Sequence, residues 1–188
     1  MIKLVVFDID GVITNGKILI NARGEELKQI DIKDVDAIFA IKREGFLIGA
    51  ITGENTPLTE YFHRRFPWDY FFRGNKQKLN TVRELANELG LSRAEICYIG
   101  DGRYDLEAME YVGLPVCPND AIDEIKEKAR VILSRNGGDG CIWELYRILK
   151  IYNNPNYSSV EGANHVGRFG RLTNHHVAAR CSPPAEGI

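Results

Sequence analysis

The sequence predicts an α/β fold, a doubly wound parallel sheet flanked by helices on both faces. Two patterns carry that prediction: short apolar, β-branched runs recur along the chain, and amphipathic helical periodicities separate them. A third supports it, because carboxylates and a Thr-Gly pair follow the ends of these runs, where open α/β sheets bind ligands.

Leu4 to Phe7 is a continuous apolar run, the pattern of a strand buried on both faces. Similar runs stand at Phe46 to Ile51, Tyr70 to Phe72 and Ile96 to Ile99, with weaker ones at Leu114 to Cys117 and Val131 to Leu133. Thr56-Pro57 supplies an N-cap and a first-turn proline for one helix. Leu79, Val82, Leu85, Ala86 and Leu89 repeat at helical spacing before the stop at Gly90. Ile142, Leu145, Tyr146 and Leu149 mark a closing helix, in which Trp143 reads as a packed residue. The alternation breaks once: Lys17 to Asn21 and Glu26 to Ile32 flank an Ala22-Arg23-Gly24 turn and read as a β-hairpin flap.

The chain of 188 residues is long enough for one well-buried domain, placed at residues 1–150. Residues 151–188 lose apolar periodicity, are rich in Gly, Asn, Ser and Pro, and are expected to form a flexible tail. In it, Arg168, Arg171, His175, His176 and Arg180 read as solvated residues rather than ligands for a neighbouring site.

Composition excludes several classes. With 44% hydrophobic and 27% charged residues the chain is ordinary globular protein. A net charge of -2 gives no basic excess, so neither nucleic acid nor an anionic membrane is an expected partner. The N-terminus MIKLVVFDID suits neither a signal peptide nor a membrane span. The four cysteines form no CxxC pair or zinc spacing and read as reduced thiols of a cytoplasmic protein.

Four features converge at strand ends: Asp8-Ile9-Asp10-Gly11-Val12, Thr52-Gly53, Lys78, and Gly100-Asp101 with Asp105. Carboxylates gathered this closely repel one another unless a cation lies among them, and an oxygen-rich set suits Mg²⁺. Asp8 is placed to attack phosphorus in line, and Asp10 to protonate a leaving alcohol and then deprotonate water. Thr52 and the Gly53 backbone N–H are placed to hold phosphate oxygens, with Lys78 as the compensating charge. Asp101 reads as a metal ligand and Asp105 as the residue that orients it or Lys78. Singly, each has a plainer reading: a DxD is usually a loop feature, Lys78 has Lys76 as a competitor, and Asp101 and Asp105 could cap the following helix.

In order and spacing, DIDGV, ITG, the helix lysine and GDxxxD resemble the four signature motifs of the haloacid dehalogenase superfamily, over roughly residues 2 to 150. The resemblance implies a HAD-like Rossmannoid fold and makes Asp8 the nucleophile, Asp10 the acid/base, and Thr52 and Lys78 the phosphate binders. It makes Asp101 a ligand of Mg²⁺, which would also take the backbone carbonyl of Asp10. An aspartate at Asp10 marks phosphatases and phosphomutases in that superfamily. The gaps between motifs leave no room for a cap domain.

DGVITNGKI, the hairpin, and Asn136-Gly137-Gly138-Asp139-Gly140 resemble the 3-deoxy-manno-octulosonate 8-phosphate phosphatase family. That implies a homotetramer assembled through the hairpins and a phosphorylated 2-keto-3-deoxy sugar acid as substrate, an octulosonate 8-phosphate or a nonulosonate 9-phosphate. The sequence departs from the family at Gly102, at Asp139 and Trp143, where a basic residue and an arginine are usual, and at Val35, which replaces a common glycine. The alternatives are a phosphatase of another small metabolite and a catalytically weak oligomerisation domain.

Overall fold

A computed structural model describes residues 1–154 and 171–172. Six strands form a parallel sheet: β1 (Leu4–Phe7), β4 (Leu47–Ile51), β5 (Tyr70–Phe72), β6 (Ile96–Ile99), β7 (Leu114–Cys117) and β8 (Val131–Ile132). They lie in the order β5-β4-β1-β6-β7-β8, so chain direction across the sheet reverses between β1 and β6. A crevice opens at such a switch point, beyond the carboxyl ends of the strands. No cap domain is inserted among the described residues.

Helices cover both faces. Alternate residues of β1 feed opposite layers: Val5 and Phe7 join a core with residues of α1 (Ile32–Arg43), α2 (Pro57–Arg65) and α6 (Cys141–Asn153). Leu4 and Val6 join a second core with α3 (Lys78–Glu88), α4 (Leu106–Tyr111) and α5 (Asp123–Lys128). The strands therefore read as unbroken apolar runs because both their faces are dry. Cys97, Cys117 and Cys141 are buried free thiols in these layers.

The flap is shorter than the sequence suggests. Its strands, β2 (Leu19–Ile20) and β3 (Glu26–Leu27), span two residues each, with Leu19 opposite Leu27. Its second arm stops before Ile32, because the Asp31 side chain accepts the Lys33 N–H and starts α1 there. The flap exposes Ile18, Leu19, Ile20 and Leu27. Trp143 is also corrected: it is 42% exposed and tilts against Tyr146 rather than packing inward.

At the other end, α6 runs to Asn153, past the boundary at 150. The Asn153 side chain ties it to the chain start, accepting the Ile2 N–H at 2.7 Å and donating to the Ile2 carbonyl at 2.8 Å. In the proposed tail, β9 (Arg171–Leu172) pairs antiparallel with β8. Its remaining features, including Arg168, His175, His176 and Arg180, lie outside the described residues, as does the expectation of flexibility. Among the described residues no helix is long and apolar enough to cross a membrane.

The start of α6 is held by a carboxylate more than a hundred residues away. Asp34, fully buried in α1, accepts the N–H groups of Gly140 (3.0 Å), Ile142 (2.8 Å) and Trp143 (3.2 Å). Burial pushes its carboxyl up to about 6 against the pull of those three donors. Replacing Asp34 by Ala orphans the donors and is expected to cost about 2–3 kcal/mol of stability, read as a lower urea midpoint at pH 7.5. An unchanged midpoint would show that α6 needs no such anchor.

Candidate active site

Four strand ends build the site. The Asp8 N–H still bonds the Ile99 carbonyl at 3.0 Å, so the loop after β1 starts beside β6. That loop turns at once: the Ile13 and Thr14 N–H groups both return to the Ile9 carbonyl. Gly11 lies at φ +85°, and a Cβ there would fall 1.9 Å from Asp101 Oδ2, so only glycine lets the backbone meet that carboxylate. Gly137 and Gly138 press against the same loop from the other side, where added Cβ atoms would strike the Gly11 carbonyl and Asn15 N.

Carboxylate oxygens of Asp8, Asp101 and Asp105 lie within 4.8 Å of one another. Lys78, at the start of α3 and only 4% exposed, reaches Asp8 at 2.8 Å and Asp105 at 2.6 Å. Lys76 is exposed instead, lying along Gly53 with its ammonium 5.3 Å from the Tyr104 ring centre, which separates the two competing lysines. Asp105 is held by four donors: Lys78 and the Tyr98 hydroxyl (2.7 Å) on Oδ1, and the N–H groups of Asp101 (3.2 Å) and Gly102 (3.0 Å) on Oδ2. It thus orients both Lys78 and the loop bearing Asp101, at the cost of its own lone pairs.

One ammonium does not balance three carboxylates. Burial, reinforced by the Asp105 charge, holds the Asp8 carboxyl well above the ordinary range despite Lys78. Burial and Asp105 likewise raise Asp101 to about 7. Burial pulls Lys78 down, but the Asp8 and Asp105 charges more than reverse that, so it stays a cation. The cluster is short of positive charge, and its all-oxygen donors suit a hard divalent ion.

Thr52 is buried at the end of β4, beside β1, with its hydroxyl accepting the Glu54 N–H at 3.1 Å, and Gly53 follows it. The Asp10 side chain stands outside the acidic cluster. Its Oδ1 accepts from Lys28 Nζ at 2.6 Å and from the Thr14 hydroxyl at 3.5 Å, and Lys28 also reaches Glu54 Oε2 at 2.5 Å. Sequence reasoning missed Lys28, Glu54 and Tyr98. For Lys28 a signal existed: in a period-two reading of the flap arm it shares a face with Ile30, which packs on the core. Asp139 and Trp143 meet elsewhere, in a cleft of about 170 Å³ also lined by Lys33, Arg135, Glu144 and Arg147, and none of the clustered carboxylates borders it.

Comparison with known proteins places this geometry. A profile described as haloacid dehalogenase-like hydrolase matches residues 17–145. The chain is 31% identical over 144 residues to the 3-deoxy-D-manno-octulosonate 8-phosphate phosphatase of Yersinia pestis, covering 77% of each. The cobalt-bound deoxy-D-mannose-octulosonate 8-phosphate phosphatase of Haemophilus influenzae superposes with a TM-score of 0.76 at 25% identity, over 88% of this chain and 96% of that one. The 3-deoxy-D-manno-octulosonate 8-phosphate phosphatase of Moraxella catarrhalis, solved with magnesium, phosphate and a KDO molecule, shares the fold with a TM-score of 0.77 at 24% identity, over 87% of this chain and 93% of that one.

The raised acids set a pH dependence. Each binds its proton more tightly folded than unfolded, so its stabilising contribution is complete at low pH and is lost as pH rises, through about 7 for Asp101. A divalent ion binds the ionised form and offsets that loss. Melting curves are therefore expected to show Mg²⁺ raising Tm by on the order of 5 °C at pH 8 and much less at pH 5. Equal shifts at both pH values would put the ion elsewhere.

Proposed function

This chain belongs to the haloacid dehalogenase-like hydrolases, and on that premise we propose that it is a Mg²⁺-dependent phosphatase acting through a phosphorylated Asp8 on a 2-keto-3-deoxy sugar acid phosphate. The observation that carries the proposal is the trio of Asp8, Asp101 and Asp105 around Lys78 at the switch point of the sheet. The relative from Yersinia pestis supports 3-deoxy-octulosonate 8-phosphate as the first choice of substrate, and a nonulosonate 9-phosphate, an acid of the same 2-keto-3-deoxy type, is the second.

In this reading Asp8, Asp101 and the Asp10 carbonyl would hold the ion, which would supply the positive charge that keeps Asp8 ionised and makes its approach to an anionic phosphate tolerable. Thr52, the Gly53 N–H and Lys78 hold the phosphoryl oxygens. An Asp8 oxygen attacks phosphorus, the P–O bond to the sugar breaks, and Asp10 gives its proton to the departing oxygen. Asp10, now a carboxylate, takes a proton from water as that water attacks the aspartyl-phosphate. The phosphorus–Asp8 bond breaks, freeing inorganic phosphate and restoring Asp8.

Without a cap the site needs closure from outside the subunit. The apolar flap, with Leu19 67% and Ile20 68% exposed, is the surface through which a homotetramer would assemble. Sedimentation of the purified protein tests that state, and a strict monomer would exclude it. The buried free thiols fit a reducing, cytoplasmic setting.

Asp8→Asn is expected to lower turnover by about 10³-fold or more with circular dichroism unchanged. Wild-type levels of phosphate release would refute the covalent route. Across a panel of sugar phosphates, the highest kcat/KM is expected on the octulosonate or nonulosonate esters, and a preference for simple hexose phosphates would redirect the substrate assignment.

A further inference from the structure

Lys28 is a buried cation from the flap. Its side chain is 3% exposed, whereas those of its partners Asp10 and Glu54 are 30% and 36% exposed. Its ammonium lies 2.6 Å from Asp10 Oδ1 and 2.5 Å from Glu54 Oε2. A lysine is retained in such a place only where carboxylates compensate it.

Its backbone is equally fixed. The arm carrying it pairs with the catalytic loop: Asn15 N–H donates to the Gln29 carbonyl at 3.3 Å, the Asn15 side chain donates to Gln29 Oε1 at 3.2 Å, and Thr14 bridges Ile30. Lys28 therefore reaches Asp10 only when the flap is docked on that loop.

Both Lys28 and Thr14 bond the same oxygen of Asp10, Oδ1. Thr14 is fixed in turn, its hydroxyl accepting the N–H groups of Gly11 and Gly16 at 3.3 Å each. Oδ1 is thus held chiefly by Lys28 at 2.6 Å, with Thr14 at 3.5 Å beside it, which leaves Oδ2 for proton exchange in the proposal that follows. We propose that Lys28 is a positioning residue: through the docked flap it fixes the Asp10 carboxyl group so that Oδ2 meets the leaving oxygen, with Glu54 holding the ammonium in place. This inference rests on the assignment of Asp10 as acid/base.

Lys28 is bonded to Asp10 and Glu54 whereas Asp8 is held by Lys78, so loss of Lys28 should spare attack by Asp8. It should damage the two steps that use Asp10: protonation of the leaving group, which kcat/KM reads, and hydrolysis of the aspartyl-phosphate, which both esters share. Aryl phosphates such as p-nitrophenyl phosphate release a stable anion and need little protonation. Alkyl phosphates need much. The test compares kcat/KM, which reads only the steps up to departure of the leaving group, for p-nitrophenyl phosphate and for a sugar-acid or other alkyl phosphate, with saturating Mg²⁺, in wild type, Lys28→Met, Lys28→Arg and Asp10→Asn.

Lys28→Met is expected to lose about 10²-fold on the alkyl ester and less than about fivefold on the aryl ester, with Lys28→Arg recovering part of the alkyl rate. Equal losses on both esters, or no loss on either, would overturn the inference. If Lys28→Met fails to fold, Lys28→Arg decides alone: its shifted geometry must slow the alkyl ester more than the aryl one, and a uniform effect overturns the inference. Asp10→Asn separates the two levels. Leaving-group selectivity in Asp10→Asn without any in the Lys28 variants sinks the inference alone, whereas its absence in Asp10→Asn sinks the acid/base assignment beneath it.

Discussion

The buried contact of Lys78 with Asp8 and Asp105 is the constraint around which this molecule is organised. Three carboxylates within 4.8 Å, two of them buried, would drive one another apart without it. A single ammonium makes the arrangement possible but leaves it acidic and electron-rich. The remaining deficit of positive charge is what a divalent ion would fill. Stability and chemistry therefore pull on the same side chains, and the fold carries electrostatic tension where it acts.

Backbone packing sets how tightly that tension is held. Gly11 lies against the Asp101 carboxylate, and Gly137 and Gly138 lie against the loop that contains Gly11. Behind them, Asp34 fixes the first turn of α6 and Glu144 holds Ser134 and Arg135 by their N–H groups. The loop after β1 is thus wedged between the acidic cluster and a second loop that is itself pinned by buried carboxylates. Loops without side-chain bulk at these contacts give the site its rigidity without help from a covering domain.

Much of this was legible in the sequence because the strands are dry on both faces. Leu4 to Phe7, Ile96 to Ile99 and Leu114 to Cys117 could be bounded to the residue, since nothing polar interrupts them. The motif residues fell at strand ends by the same logic. What stayed hidden depends on distance along the chain. Asp34 bonds residues 106 to 109 positions away, and Tyr98 reaches Asp105 from inside an apolar strand that looked purely structural. The flap misled by its alternation: Glu26 to Ile32 reads as one strand, but the Asp31 cap ends it, and Lys28 hides on its inner face. Trp143 misled in the opposite sense, because an aromatic at helical spacing usually packs, and this one lies at the lip of a polar cleft.

The Asn153 amide, which clasps both polar groups of the Ile2 backbone, places the two ends of the α/β unit side by side. A unit whose entry and exit are neighbours can be grafted into a surface loop of another protein, or have its ends joined and be reopened elsewhere, without stretching its sheet. The crevice opens at the carboxyl edge of the strands whereas Ile2 and Asn153 meet at the amino edge, so a partner joined there would lie away from it.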